Sequence, residues 1–269
     1  MLSRLVALSA ATLLLGATAA RAGDCPAPTT GWGPFPSLAE SRTALLEEGA
    51  LTVVAIGSSS TEGVGASGPS ATYPAQLEQL LEQRFPKARI EVLNEGVGGE
   101  TVADNLARFA EDVAAHGPDL VIWQVGTNDA LRGVPAETIR AGLMDGIGRV
   151  RALKADLVLL DPQPLPAVRR DASIAAILPV LKEVAVAAQV PVLSRYTLMR
   201  HWLTSGAFTE ATLLGADGLH MTDASYHCLA ERIADLFPDP RQQAATMAAA
   251  GGNSAAAGAS KEVRDARRR

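Results

Sequence analysis

A repeated alternation of short apolar runs with stretches of helical periodicity constrains the fold of this chain more than any other feature. Leu51 to Ile56 is continuous, apolar and partly β-branched, which suits a strand buried on both faces. Tyr73, Leu77, Leu80 and Leu81 then recur at helical spacing. Arg89–Leu93 reads as a second strand, and Val102, Leu106, Phe109 and Val113 mark one helix after it. Asp119–Gln124 is a third strand, followed by a helix carrying Ile139, Leu143, Ile147 and Val150. Asp156–Leu160 is the fourth strand, Ile174–Ala188 is helical despite Pro179, and Val190–Leu193 is the fifth strand. A last helix runs from Asp223 to Phe237. Strands separated by helices in this way form βαβ units, whose parallel sheet needs helices on both faces. The expected class is α/β: a three-layer α/β/α sandwich around a five-stranded, mostly parallel sheet. With 48% apolar residues in 269, the chain can fill such a core. No internal repeat interrupts the pattern.

The two ends read differently from the middle. Met1–Arg4 is short and positive, Leu5–Ala20 is apolar and small, and Ala20-Arg21-Ala22 is a small-x-small site. That is the pattern of a secretory signal peptide over residues 1–22, with cleavage expected after Ala22. An uncleaved anchor is the alternative, but the run falls short of the roughly 20 residues a span requires. Cys25 lacks the preceding residues of a lipid-attachment site. The chain is thus expected to be exported, periplasmic or secreted, with no stable membrane span after cleavage. Residues 23–50 are expected to form a Pro/Gly-rich, then weakly helical lead-in, and 51–238 the α/β domain. The tail, 239–269, is Ala/Gly-rich and ends in Arg267-Arg268-Arg269. Such a composition buries no core and is expected to be disordered. A net charge of −5 with scattered basic residues argues against nucleic acid as a partner.

In open parallel sheets function collects at the carboxyl ends of the strands. Three polar, Gly-rich clusters stand there: Gly57-Ser58-Ser59-Ser60-Thr61-Glu62-Gly63, Asn94 to Thr101, and Gly126-Thr127-Asn128-Asp129. A fourth, Asp217-Gly218-Leu219-His220, precedes the last helix. Acyl transfer needs a nucleophile, a base, a group that orients the base, and donors for the oxyanion. A strand-end serine supplies the first, and an Asp three residues before a His the second and third. Backbone N–H groups at glycines and an Asn amide supply the donors.

Taken in order, these clusters resemble the four blocks of the SGNH/GDSL hydrolase family, over about residues 50–235. The first block, Gly-Asp-Ser-x-Thr-x-Gly in the family, carries the nucleophile onto Ser59. The second, Asn94-x-Gly96-x-x-Gly99, makes Gly99 an oxyanion donor, and the third makes Asn128 the side-chain donor. The last carries the base and its orienter onto His220 and Asp217. The resemblance implies a flavodoxin-like SGNH fold, a Ser59–His220–Asp217 triad and an oxyanion hole of Ser59, Gly99 and Asn128. The esterase reading calls for no cofactor, and no His, Asp or Cys group has metal-ligand spacing, so no metal is expected. The implied substrates are small-molecule, lipid or carbohydrate esters: lysophospholipids, thioesters, aryl esters, acetylated sugars. A monomer is expected.

One position departs from the family. Its Asp between Gly and the nucleophile is Ser58 here, so a hydroxyl must support the turn. Three serines in a row also require a frame. Gly57, Thr61 and Gly63 keep their family offsets only if Ser59 is the nucleophile, and Ser58 or Ser60 are the alternatives. Asp129 reads as structural, supporting a neighbouring loop, and Trp123 as core. Tyr196, Met199, Trp202 and Leu203 are either packing or the lining of an acyl pocket. His116 suits a helix end, while His201 and His227 show no acidic partner at a helpful offset. Rival readings are a carbohydrate O-acetylesterase, an acyltransferase on the same triad, and a non-catalytic binding module on this scaffold.

Cys25 and Cys228 are the two cysteines. On the last helix Tyr226, Leu229, Ala230, Ile233 and Phe237 form the apolar face, which places Cys228 beside Glu231, Arg232 and Asp235 on the exposed side. An exposed thiol in an oxidising compartment calls for a partner, and Cys25 is the one available. A Cys25–Cys228 disulfide is expected; free thiols or an intermolecular bond are the alternatives.

Overall fold

The computed structural model describes residues 25–28, 38–166 and 168–237. The signal peptide, most of the Pro/Gly-rich lead-in and the tail with Arg267–Arg269 lie outside the described residues.

The elements follow one another as a wound α/β chain. A short helix, α1 (Ala39–Thr43), runs into a π-helical turn, Ala44–Glu48. Then come β1 (Ala50–Gly57), α2 (Ser59–Glu62), α3 (Tyr73–Arg84) and β2 (Arg89–Gly96). The chain continues through α4 (Val102–Ala107), α5 (Phe109–Asp112), β3 (Leu120–Gln124), α6 (Thr127–Leu131), α7 (Ala136–Ala152) and β4 (Asp156–Leu160). It closes with α8 (Val168–Ala187), β5 (Val192–Leu193), α9 (Arg195–Thr204), α10 (Glu210–Leu213) and α11 (Asp223–Ala234).

The five strands lie in the order β2-β1-β3-β4-β5, and every pair is parallel. Side chains alternate between the faces, as a strand requires. Val53, Ala55, Ile122 and Leu160 pack under Tyr73, Leu77, Trp202, Tyr226 and Leu229. Val54, Ile56, Trp123 and Leu159 pack under Ile139, Leu143, Ile177 and Leu181. The result is three layers. The order reverses direction at β1, so the crevice opens at the carboxyl ends of β1 and β3.

Several boundaries differ from the sequence reading: α8 starts at Val168 and not Ile174, β2 runs on to Gly96, and four further differences have a local reason. The single helix expected over Val102–Val113 is two, broken at Arg108 (φ −106°, ψ 6°). Arg108 turns inward there to bond backbone carbonyls of other elements. The fifth strand begins at Val192, because Val190 N–H still bonds Ala185 O, and Pro191 has no N–H to give. The last helix ends at Ala234; Leu236 and Phe237 continue it only as 3₁₀-type turns. Part of the lead-in belongs to the packed structure: Leu38, Ala44 and Leu45 are in the core, and the Ser41 hydroxyl donates to Asp156 (2.7 Å).

Cys25 and Cys228 are joined by a disulfide with Cα atoms 5.1 Å apart. The exposed position expected for Cys228 is wrong: the residue is 1% exposed. The N-terminal segment lies over it, held as well by Trp202 Nε1–H donating to Pro26 O (2.9 Å).

Candidate functional site

Where β1 ends, the chain turns sharply. Ser58 is extended (φ −106°, ψ −151°), and α2 begins at Ser59. The N–H groups of Thr61 and Glu62 donate to Ser58 O, and those of Gly63 and Val64 to Ser59 O. This turn sorts the three serines. Ser58 (3% exposed) and Ser60 (1%) point inward, whereas Ser59 is half-buried at the surface of the crevice. The Ser58 hydroxyl and N–H both donate to Gln124 Oε1, at 3.0 and 2.8 Å, and the Thr61 hydroxyl shares that acceptor at 3.4 Å. The turn is therefore supported from β3 by a buried amide oxygen. Gln124 escaped the sequence reading, although a polar residue closing the run Leu120-Val121-Ile122-Trp123 was its signal. Gly96 is required next door: a Cβ there would collide with Glu62 N, because β2 ends against α2.

His220 and Asp217 reach Ser59 from the loop before α11. His220 Nε2 lies 2.9 Å from Ser59 Oγ, and His220 Nδ1 lies 2.5 Å from Asp217 Oδ2. The other Asp217 oxygen accepts Leu219 N–H (2.9 Å) and His220 N–H (3.0 Å). Partial burial raises the Asp217 pKa, but the bonds from His220 N–H, the His220 ring and Leu219 N–H outweigh it and bring it down to about 2. An ionised Asp217 holds the proton on Nδ1, leaving the Nε2 lone pair for the Ser59 hydroxyl. The loop is pinned from three sides. Gly215 N–H donates to His220 O (2.8 Å), and Gln163 Nε2 donates to Leu219 O (2.9 Å). The loop backbone also approaches Gly65 too closely for any side chain there.

The donors expected for an oxyanion come from the next two loops. A Cβ on Gly98 would sit 4.0 Å from Ser59 Cβ, so the loop after β2 lies against Ser59. Gly99 adopts φ +81°, the left-handed region that favours glycine, and its carbonyl accepts from Arg132 Nη2 (2.6 Å). Asn128 donates one amide hydrogen to Glu100 O (2.8 Å), and the second remains for a ligand. Asp129 accepts Val102 N–H with both oxygens at 3.3 Å, and so anchors α4. Burial raises the Asp129 pKa.

The remaining sequence candidates lie elsewhere. Trp123, Met199 and Trp202 are core. Leu203 lines a small cavity with Leu165, Pro166, Leu213 and Leu214, and Tyr196 packs against the other core cluster. His116 faces Glu95 (3.5 Å). His227 does have an acidic partner, contrary to expectation: Glu231 one helical turn on (3.3 Å), with Gln76 Oε1 on the other nitrogen (2.6 Å). Their i,i+4 spacing on one helix face is the sequence signal for this pair. Among the described residues no helix is long and apolar enough to cross a membrane.

A family model described as the non-GDSL lipase-like family matches residues 24–240. The chain belongs to this family. As a non-GDSL lipase-like protein it is also similar to a GDSL lipase of Mycobacterium tuberculosis, 30% identical over 69% of this chain and 80% of that one. An acetylxylan esterase of Geobacillus stearothermophilus is 43% identical over 26% of this chain and 33% of its own length. The chain spans a third to just under a half of the first curated relatives it matches. Among solved structures, a lipase/acylhydrolase from Enterococcus faecalis superposes with a TM-score of 0.60, covering 69% of this chain and 94% of its own at 26% identity. These SGNH/GDSL neighbours share the three-layer fold and its five-stranded parallel sheet.

Proposed function

We propose that this protein is an exported serine esterase that hydrolyses carboxylic esters through an acyl-enzyme. The observation that carries the reading is the continuous chain Asp217–His220–Ser59, with contacts of 2.5 and 2.9 Å. His220 Nε2 takes the Ser59 proton as Ser59 Oγ attacks the ester carbonyl carbon. The carbonyl oxygen becomes an oxyanion, held by the N–H groups of Ser59 and Gly99 and the free amide hydrogen of Asn128. His220 then returns the proton to the leaving alkoxide, and the alcohol departs. A water, deprotonated by the same nitrogen, attacks the acyl-Ser59 ester and releases the acid. Asp217 keeps the imidazole in the required tautomer and stabilises its cation. No step calls for a metal or a cofactor.

Short or medium acyl esters, thioesters and lysophospholipids are the first substrate class. Carbohydrate O-acetyl esters are the second, favoured by the similarity to an acetylxylan esterase. Export is supported by the signal-like leader and by the Cys25–Cys228 bond, which an oxidising compartment preserves.

Fluorophosphonate labelling, followed by a panel of p-nitrophenyl esters of increasing chain length and acetylated xylan, tests the proposal. Wild type is expected to label at Ser59 and to turn over esters. Ser59→Ala is expected to fold normally, to escape labelling and to lose turnover by roughly 10⁴-fold or more. Labelling at Ser60, with full activity of Ser59→Ala, would sink the assignment.

A further inference from the structure

Behind the crevice, one guanidinium joins the two chain segments that carry the oxyanion donors. Arg108 sits at the break between α4 and α5, its side chain 16% exposed. Its Nη2 donates to Glu95 O (2.7 Å) and to Gly57 O (3.2 Å). Gly57 is the last residue of β1, two before Ser59; Glu95 is next to last in β2. Its Nε donates to Glu100 Oε2 (2.7 Å), and Glu100 directly follows Gly99. The remaining arm, Nη1, is fixed by Asp112 Oδ2 (2.5 Å), which stops the group from swinging out.

A second side chain repeats the connection. Trp123 Nε1–H can only donate, and it donates to Asn105 Oδ1 (2.9 Å). That contact orients the Asn105 amide, so its nitrogen faces Glu100 Oε2 (2.6 Å) and Gly57 O (3.4 Å). Asn105 is 2% exposed. Gly57 O also accepts Val97 N–H (3.1 Å), so three donors from the β2–α4 region converge on the carbonyl that precedes the serine turn.

We infer that Arg108, with Glu100 and Asn105 as its partners, is a positioning residue that sets the distance between the Ser59 and Gly99 oxyanion donors. The inference rests on the esterase reading above. An ordinary surface ion pair joins two side chains and contributes little. This one grips two strand-end carbonyls and the residue after Gly99, within a mostly buried network. The planar fork of arginine meets these acceptors together; a lysine ammonium is a point charge and cannot span them. The donors act on charge that develops only in the transition state, so a change in their spacing affects the chemical step and not substrate binding.

The experiment uses the full mature chain and the variants Arg108→Lys, Arg108→Gln and Glu100→Gln. Steady-state kinetics on a p-nitrophenyl ester are combined with the affinity for a trifluoromethyl ketone, whose enzyme adduct carries an oxyanion. Thermal melting establishes which variants are folded. For the folded Arg108 variants kcat is expected to fall about 10- to 100-fold, the scale of a small misplacement of catalytic groups. KM is expected to stay within about twofold, since only a transition-state interaction is lost. Ketone affinity should drop by the same factor as kcat/KM. Glu100→Gln keeps the shape and removes the charge; the same pattern at a smaller amplitude is expected, and it decides the matter if Arg108 variants do not fold. A folded variant with unchanged kcat, or with a fall carried by KM alone, overturns the assignment. A wild type that neither labels with fluorophosphonate nor turns over esters overturns the esterase reading and this inference with it. Active wild type with insensitive variants overturns the inference only.

Discussion

Asp161 follows the carboxyl end of β4 and Asp217 reaches Ser59, beyond the end of β1, through His220, and their surroundings push the two carboxyls in opposite directions. Asp217 has a half-exposed side chain and accepts three bonds from the His220 loop, which hold its pKa at about 2. Asp161, just after β4, is buried; burial lifts its pKa to about 6, although Ser194 Oγ (2.7 Å) and Tyr196 N–H (2.9 Å) both donate to it. The first carboxylate stays charged because water and N–H donors surround it, so it can orient an imidazole. The second fixes the first turn of α9, where Ser194 is the N-cap. A strand-end aspartate beside a serine is thus no mark of catalysis by itself. What differs is a histidine between the two groups and access to the crevice.

The sharpest way to break this comparison is to neutralise both carboxylates. Asp217→Asn is expected to lower kcat by roughly 10⁴-fold, because the amide favours the wrong imidazole tautomer. Asp161→Asn should leave turnover within about threefold, because its partners are Ser194 and Tyr196 and none of them touches Ser59 or His220. Comparable losses in the two variants, measured on the same p-nitrophenyl ester, would show that the β4–β5 half takes part in the chemistry.

On the proposed mechanism, Asn128→Ala removes one oxyanion donor and leaves Ser59, His220 and Asp217 in place, so kcat should drop by roughly 10²–10³-fold with KM little changed. A loss below about threefold would take Asn128 out of the mechanism and confine it to holding Glu100 O.

The smallest effect concerns stability. A carboxyl whose folded pKa is raised favours the folded state below its unfolded pKa, and that contribution is lost as pH rises through the folded value. For Asp161 the window runs from about 3.8 to about 6. Wild-type Tm should therefore lose a contribution across that interval which Asp161→Asn does not lose, so the variant gains relative to wild type at pH 7 compared with pH 4. Asp217 acts with the opposite sign, losing its contribution as pH falls below about 3.8 toward about 2, and its exposure keeps the effect small. Parallel melting curves for wild type and Asp161→Asn from pH 4 to 7 would contradict the raised pKa.

The pattern of the sequence determined a good deal. Strands buried on both faces must be almost wholly apolar, so Val53–Ile56 and Leu157–Leu160 announce themselves. The serine turn, the glycine loop, the Gly126-Thr127-Asn128-Asp129 block and the Asp217–His220 spacing are local signals, because each needs particular residues within one turn or loop. The groups that support the site were hidden for the converse reason. Gln124 meets Ser58 across 66 residues, Arg108 meets Gly57 across 51, and Gln163 meets Leu219 across 56. Those partners are chosen by strand order and register, and no local period records them. The burial of Cys228 belongs to the same class. A helical wheel places a side chain relative to its own helix, whereas its cover comes from a segment 203 residues away. Sequence determined which residues are available for the chemistry; the tertiary structure decided which of the three serines faces His220, and what holds it there.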